Sequence, residues 1–351
     1  FAVILTVIMT GAAEVLAGLL HTPKEAFSQT VTYIRICGAG SLFIVAYNVL
    51  GAVFRGIGDS RTPLVTVMIA CVINIGGDFL LVAVLGMGTA GAALATVAAQ
   101  AISVLISFAI ILKKELPFEF TGNCIRFNGQ IIGAELKLGV PVALQELLVG
   151  VSFLLIQTVV NSFGVTFSAG VGVAEKVCIF IMLVPSAYMQ SMSAFAQNMG
   201  ARNPVRAKKA LGYGVATAFA VGLAMSYITL FHGDLLSSLF SKDLDVIAAS
   251  HSYLKAYAVD CLLTPFLFCF TGYYNGCEKT IFVMIQGIIG AFLVRIPIVY
   301  AVSRMAGATL FQIGLGTPAS SLVQIILCLG MFLYLERTAG KSNGVSGHFT
   351  A

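Results

Sequence analysis

Leu64-Val-Thr-Val-Met-Ile-Ala-Cys-Val-Ile-Asn-Ile-Gly-Gly-Asp-Phe-Leu-Leu-Val-Ala-Val-Leu85 decides the fold class. The run is long enough to cross a bilayer as a helix, which needs about 20 apolar residues. It does not alternate polar with apolar, and it is about twice a barrel strand's length, so it reads as a helix. In lipid only helices or closed barrels satisfy the backbone. Its single charge is Asp78. A charge at a helix centre costs about 2.5–3.5 kcal/mol on insertion scales, which makes Asp78 a functional candidate. Asn74 stands one turn earlier on the same face.

Nine further apolar runs flank this one, at 1–12, 36–54, 88–112, 139–160, 168–194, 210–232, 256–274, 281–302 and 311–335. The chain is 58% hydrophobic and only 10% charged, with a mean hydropathy of +0.97. Soluble domains carry about 25% charged residues. The fold class is therefore an all-α polytopic membrane protein with about ten spans. Of the 20 Lys and Arg residues, thirteen fall on one set of alternate connections, among them Lys114, Arg202 and Lys279. Five fall on the other (Lys24, Arg35, Lys242, Lys255 and Arg304), and Lys176 and Arg295 lie inside spans. The richer side is cytoplasmic by the positive-inside rule. The expected location is the cell membrane, as a multi-pass protein of the bacterial inner or plasma membrane. The net charge of +5 is explained by these connections and is no nucleic-acid signature. The eight cysteines show no CxxC spacing and no zinc-spaced histidine, so neither a metal site nor disulfides are expected.

The chain repeats itself. Residues 1–35 slide onto 221–255 without gaps, a shift of 220, setting Glu14 on Asp234 and Tyr33-Ile-Arg35 on Tyr253-Leu-Lys255. The same shift sets Arg55-Gly56 on Asn275-Gly276, and Gly86-Met-Gly-Thr89 resembles Gly314-Leu-Gly-Thr317 after an insertion near 303–310. The second unit starts near Gln130, so the first would start at about −90; about 90 residues and two spans are expected upstream of Phe1. The intact architecture would be two parallel-repeat lobes of six helices each, which alternate access by rocking. The expected layout is an incomplete first lobe over 1–112, a cytoplasmic linker over 113–138, a six-helix lobe over 139–337 and a polar tail over 338–351.

Four motifs in order resemble the multidrug and toxic compound extrusion (MATE) family across nearly the whole chain. They are Arg55-Gly-Ile-Gly-Asp-Ser-Arg-Thr-Pro63; Asn74-Ile-Gly-Gly-Asp78 followed by Gly88-Thr-Ala-Gly-Ala-Ala-Leu-Ala-Thr96; Ala196-Gln-Asn-Met-Gly-Ala-Arg-Asn203 with Arg206-Ala207; and Arg295-Ile-Pro297. The resemblance implies export of amphipathic, often cationic, compounds driven by entry of H⁺ or Na⁺, with no other cofactor. It also implies a coupling role for Asn74, Asp78 and Thr96, whose amide, carboxylate and hydroxyl are hard ligands for a proton or Na⁺. In the family these work with a carboxylate on a first helix upstream of Phe1.

Other polar residues inside spans extend the candidate set. Glu146, with Gln145 and Gln157, lies in the 139–160 run, one turn before the place, near Val149, where some family members carry a cation-binding Glu. Asp260 and Tyr257 lie in the 256–274 run; in the sodium-coupled branch the corresponding Asp falls near Thr264. Glu175 and Lys176 are adjacent and point about 100° apart; Lys176 is a candidate partner of Glu146. Met182, Met189 and Met192, with Tyr188 and Gln190, form an adaptable surface suited to varied apolar substrates. Arg295 is read as a snorkelling or charge-neutralising residue, and Glu14 as interfacial.

Two other readings stand beside the antiporter. A flippase for a lipid-linked precursor has a related helical architecture, but anionic head groups would call for several cavity cations. An intramembrane enzyme would need clustered catalytic groups; the four histidines sit at span ends or in the tail, and no HExxH, GxSxG or P-loop pattern occurs. The expected partners are small amphipathic molecules and the bilayer, for a monomer that binds no nucleic acid.

Overall fold

Backbone hydrogen bonds that close within a segment are what allow apolar runs to sit in lipid, and the computed structural model of the chain is helical accordingly. It describes residues 1–19, 24–113, 128–196 and 204–345, and among these there is no strand. Lys114, Cys124, Arg126, Arg202, the 197–203 part of the third motif and most of the 113–138 linker lie outside the described residues. The chain forms two compact units, Phe1–Arg126 and Phe127–Ala351.

The first unit contains α1 (Ala2–Gly11), α2 (Ala13–Leu19), α3 (Lys24–Ala39), α4 (Ser41–Gly56), α5 (Arg61–Asp78) and α6 (Gly88–Lys113). A π-helical turn, Phe79–Val84, continues α5 directly after Asp78. The second unit contains α7 (Gly129–Asn161), α8 (Val165–Ala196), α9 (Pro204–Phe231), α10 (Gly233–Ser238), α11 (Leu244–Gly276) and α12 (Thr280–Ile288). A second π-helical turn, Ile289–Arg295, leads into α13 (Ile296–Ser303), followed by α14 (Leu310–Gly314) and α15 (Gly316–Val345).

Eight helical segments are long and apolar enough to cross a membrane, and α3 with α4 forms a ninth span bent by 55°. With the shorter apolar helix α1, these account for the ten apolar runs expected. The first run makes only the ten-residue α1, and the 36–54 run is the second part of the bent span. Two helices start well before their apolar runs. Asn128 accepts hydrogen bonds from the Gln130 and Ile131 amides, and Asp243 from those of Asp245 and Val246. These side-chain caps start α7 and α11, and polar first turns carry each helix on into the span.

α11 is the axis of the second unit. Tyr253, Tyr257, Cys261, Pro265, Cys269 and Tyr273 recur every four residues, and all are buried. Helices in lipid gain by close packing, which small residues allow. A Cβ at Gly170 of α8 would come within 2.6 Å of the Ala249 Cβ on α11. One at Gly272 of α11 would collide with the Met189 carbonyl on α8. The two helices therefore touch backbone to backbone at both ends of their contact.

Candidate functional site

α7, α8 and α11 each contain an interior proline, at Pro141, Pro185 and Pro265. A proline removes one backbone bond and bends its helix. Between these helices, with α12, the second π turn and α15, lies a cavity of about 560 Å³ inside the second unit. Its wall takes roughly one residue per turn from each helix. α7 supplies Gln145, Glu146, Val149, Phe153 and Gln157; α8 supplies Glu175, Cys178, Met182, Ser186 and Met189. α11 supplies Tyr257, Asp260, Thr264 and Thr271. Gln286, Arg295, Ser321 and Gln324 close the remaining side.

Eight of the residues expected from sequence meet on this wall: Glu146, Asp260, Tyr257, Gln145, Gln157, Glu175, Met182 and Met189. Lys176 and Tyr188 do not. Lys176 is exposed, about 100° round α8 from the cavity-lining Glu175, and forms no ion pair with Glu146. Tyr188 packs with buried Met192 against the aromatic cluster around Tyr273 and Tyr274, and Gln190 is exposed.

Sequence reasoning missed Thr264, Gln286, Ser321 and Gln324, and it underrated Arg295. The amides carried a usable signal, since Gln286 and Gln324 are isolated amides within apolar runs. The hydroxyls carried little, since Ser and Thr in a helix commonly bond their own backbone. Arg295 is buried rather than snorkelling. Its Nη1 donates to the Ser152 Oγ at 3.1 Å, and its guanidinium stacks over the Phe153 ring at 4.4 Å. Pro297 cannot donate to Leu293 and crowds its carbonyl. The wide π turn that ends at Arg295 takes up that misfit.

Among the described residues, five buried polar atoms on this wall have no hydrogen-bonding partner: Gln157 Oε1, Asp260 Oδ1, Thr264 Oγ1, Gln286 Oε1 and Arg295 Nε. Asp260 itself is 2% exposed, with Ser321 beside it and Arg295 within electrostatic reach. An unsatisfied buried group costs about 1–3 kcal/mol. Such a concentration on one wall suits a polar ligand, water or an ion. Among the described residues no group of three or more His, Cys, Asp or Glu side chains has metal-holding geometry.

The first unit holds a second polar cluster, between α5 and α6. The Asn74 Nδ2 donates to the Thr96 Oγ1 at 3.3 Å, and that hydroxyl donates to the Ala92 carbonyl at 2.9 Å. Asp78 lies one turn along α5, half-buried. Its Oδ1 is buried with no partner among the described residues, and no hydrogen bond joins it to Asn74 or Thr96. Gln100, one turn from Thr96 on α6 and not singled out from sequence, also has a buried, unpartnered Oε1. Glu14 is on the surface as expected, paired with Arg35 at 2.7 Å.

A family model described as MatE matches residues 1–80 and 141–301. The probable multidrug resistance protein YpnP of Bacillus subtilis is 29% identical over 309 residues, covering 87% of this chain and 68% of its own length. The multidrug export protein MepA of Staphylococcus saprophyticus is 22% identical over 311 residues, covering 87% of this chain and 68% of its own. A MOP-superfamily transporter from Pyrococcus furiosus superposes with a TM-score of 0.90 at 21% identity, covering 97% of this chain and 76% of that one. A multidrug-resistance MATE transporter in an outward-facing conformation gives 0.88 at 21% identity, covering 96% and 76%. At these identities the structures establish a shared fold.

Proposed function

The chain belongs to the MATE family of multidrug efflux transporters, a multi-pass protein of the bacterial plasma membrane, and from that premise we propose that it exports amphipathic, often cationic, compounds in exchange for H⁺ or Na⁺. The observation that carries this reading is the second-unit cavity. Its volume of about 560 Å³ lies within the roughly 300–1,000 Å³ of small-molecule sites. Glu146, Glu175 and Asp260 place three carboxyl groups on its wall against one cation, Arg295. Phe153, Phe268, Met182 and Met189 supply adaptable apolar contact. That charge balance supports an exporter of cations over a flippase for anionic head groups.

In this reading Glu146, Asp260 and Tyr257 form one coupling site, and Asn74, Asp78 and Thr96 a second. Inward-moving ions load the carboxylates, and outward-moving substrate needs them free. Two six-helix lobes joined through 113–138 would rock to expose the cavity to each side in turn.

The test is dye export from proteoliposomes under an imposed gradient. Acidifying the dye-receiving side, or loading it with Na⁺, should drive a cationic rhodamine ester out, and collapsing both gradients should stop the flux. Export that persists without any ion gradient, or that requires ATP, would refute secondary coupling.

A further inference from the structure

Among the described residues Arg295 is the one Lys or Arg on the cavity wall, and it is 6% exposed. A guanidinium presents five N–H donors in a rigid fork. Here Nη1 has Ser152, the π face has Phe153, and Nε has no partner among the described residues. No carboxylate among the described residues lies within ion-pair distance of it. Asp260 is close enough to be felt electrostatically, yet its Oδ1 is left unpartnered as well. The two opposite charges share a wall without closing on one another. A buried charge left without a partner is strongly unfavourable, and a planar fork matches the paired oxygens of a carboxylate, as it does those of a phosphate.

We propose that Arg295 is a specificity-determining residue that binds a carboxylate on the exported compound, so that zwitterionic amphiphiles are the preferred class. The acids on the wall then take the cationic end of the same molecule. The inference rests on the efflux reading above and narrows its substrate. The unpartnered atoms agree with it: the Arg295 Nε is a donor that needs an anion, while the Asp260 Oδ1 and the Gln286 Oε1 are acceptors that need a cation or an N–H. A purely cationic compound would satisfy the second set and leave Arg295 facing another positive charge. Ser152 holds the fork in place. It donates to the Val149 carbonyl at 2.7 Å and accepts from Nη1, which fixes one arm of the guanidinium.

The test compares two rhodamine probes that differ at one group, a dye with a free benzoate and its methyl ester. Binding to the purified full chain in detergent is read by fluorescence polarisation, and export by proteoliposome flux. The wild type should bind the benzoate dye more tightly than the ester. Arg295→Gln should weaken the benzoate dye by about tenfold or more, in keeping with the strength of hydrogen bonds to charged groups, and should not weaken the cationic ester, which loses an opposing positive charge. Arg295→Lys, which keeps the charge and loses the fork, should fall between. An equal loss for both dyes in Arg295→Gln, with intact binding in Arg295→Lys, would make Arg295 a structural cation and overturn the proposal. So would a wild type that does not distinguish the dyes. Because binding is measured apart from flux, a protein that binds the benzoate dye through Arg295 but moves neither dye would refute the efflux reading while leaving the recognition site standing.

Discussion

Residues 24–56 and 244–276 are the same stretch of scaffold made twice, with different outcomes. α3 begins at Lys24 and α11 at Leu244; α4 ends at Gly56 and α11 at Gly276. Each pair differs by the 220 that the sequence repeat requires. In the first unit the stretch breaks by 55° at Gly40, between α3 and α4. In the second it runs unbroken for 33 residues, through Pro265. The residue at the position of Gly40 is Asp260. One copy uses this register position to turn the chain, and the other uses it to hold a buried carboxyl at the cavity. The difference teaches that duplication fixed the helix boundaries, while single positions within the helices were free to take separate tasks.

The strongest test of that division is Asp260→Asn. The amide keeps the volume and much of the hydrogen bonding, so the protein should insert and stay folded. Ion-driven export should drop by a factor in the range of about 5–150 that coupling energies allow. Unchanged export under both gradients would show that the acid at this position is no more functional than the glycine at its counterpart. Asp78→Asn asks the same of the first unit, where the acid sits on α5. Asn74 and Thr96 keep their own contact there, so a loss toward the lower end of that range is expected. Export at the wild-type rate would make Asp78 structural.

Gly40→Ala comes next. A Cβ there would stand 2.5 Å from both Val97 methyl groups on α6, and overpacking of this kind costs about 1–3 kcal/mol. Thermal stability in detergent should fall accordingly. If it does not, the bend is not held by the α6 contact. Gly40→Ala combined with Val97→Ala should recover much of the loss.

Much of this was legible in the sequence, and the exceptions have physical causes. The repeat register was legible because it is carried by helix ends, where caps and glycines are chemically distinct. The expected insertion near 303–310 is also present: α6 starts at Gly88 and α15 at Gly316, a shift of 228. The first ten residues of α7 and the first twelve of α11 were not read as helix. Glu135, Lys137, Asp245 and Lys255 dilute the hydropathy there while leaving helix propensity intact. The break at Gly40 was invisible because Gly38, two residues earlier, looks the same and stays helical. At the cavity, charged and amide residues inside apolar runs announced themselves, and they are five of the eight wall residues found. Lys176 was misplaced because adjacency to Glu175 was weighed less than its charge. Thr264 and Ser321 could not be singled out, since a hydroxyl in a span has its own backbone to bond.

The smallest expected effect gives the closest check on register. Gly58 and Glu278 differ by 220 and both have left-handed backbone, at φ 84° and φ 59°. Glu278 is the only non-glycine with positive φ among the described residues. Both follow the helix that ends at Gly56 or Gly276 and precede the start of the next span. Glycine adopts this conformation without steric cost, whereas a side chain is strained there by about 1–2 kcal/mol. Glu278→Gly should therefore stabilise the protein, by less than that strain, because glycine also loses more freedom on folding. Gly58→Ala should destabilise it by about 1 kcal/mol. Opposite signs in paired thermal melts are the expected result. Two changes of the same sign would mean that the turns only look alike and that register is lost between Gly276 and the following span.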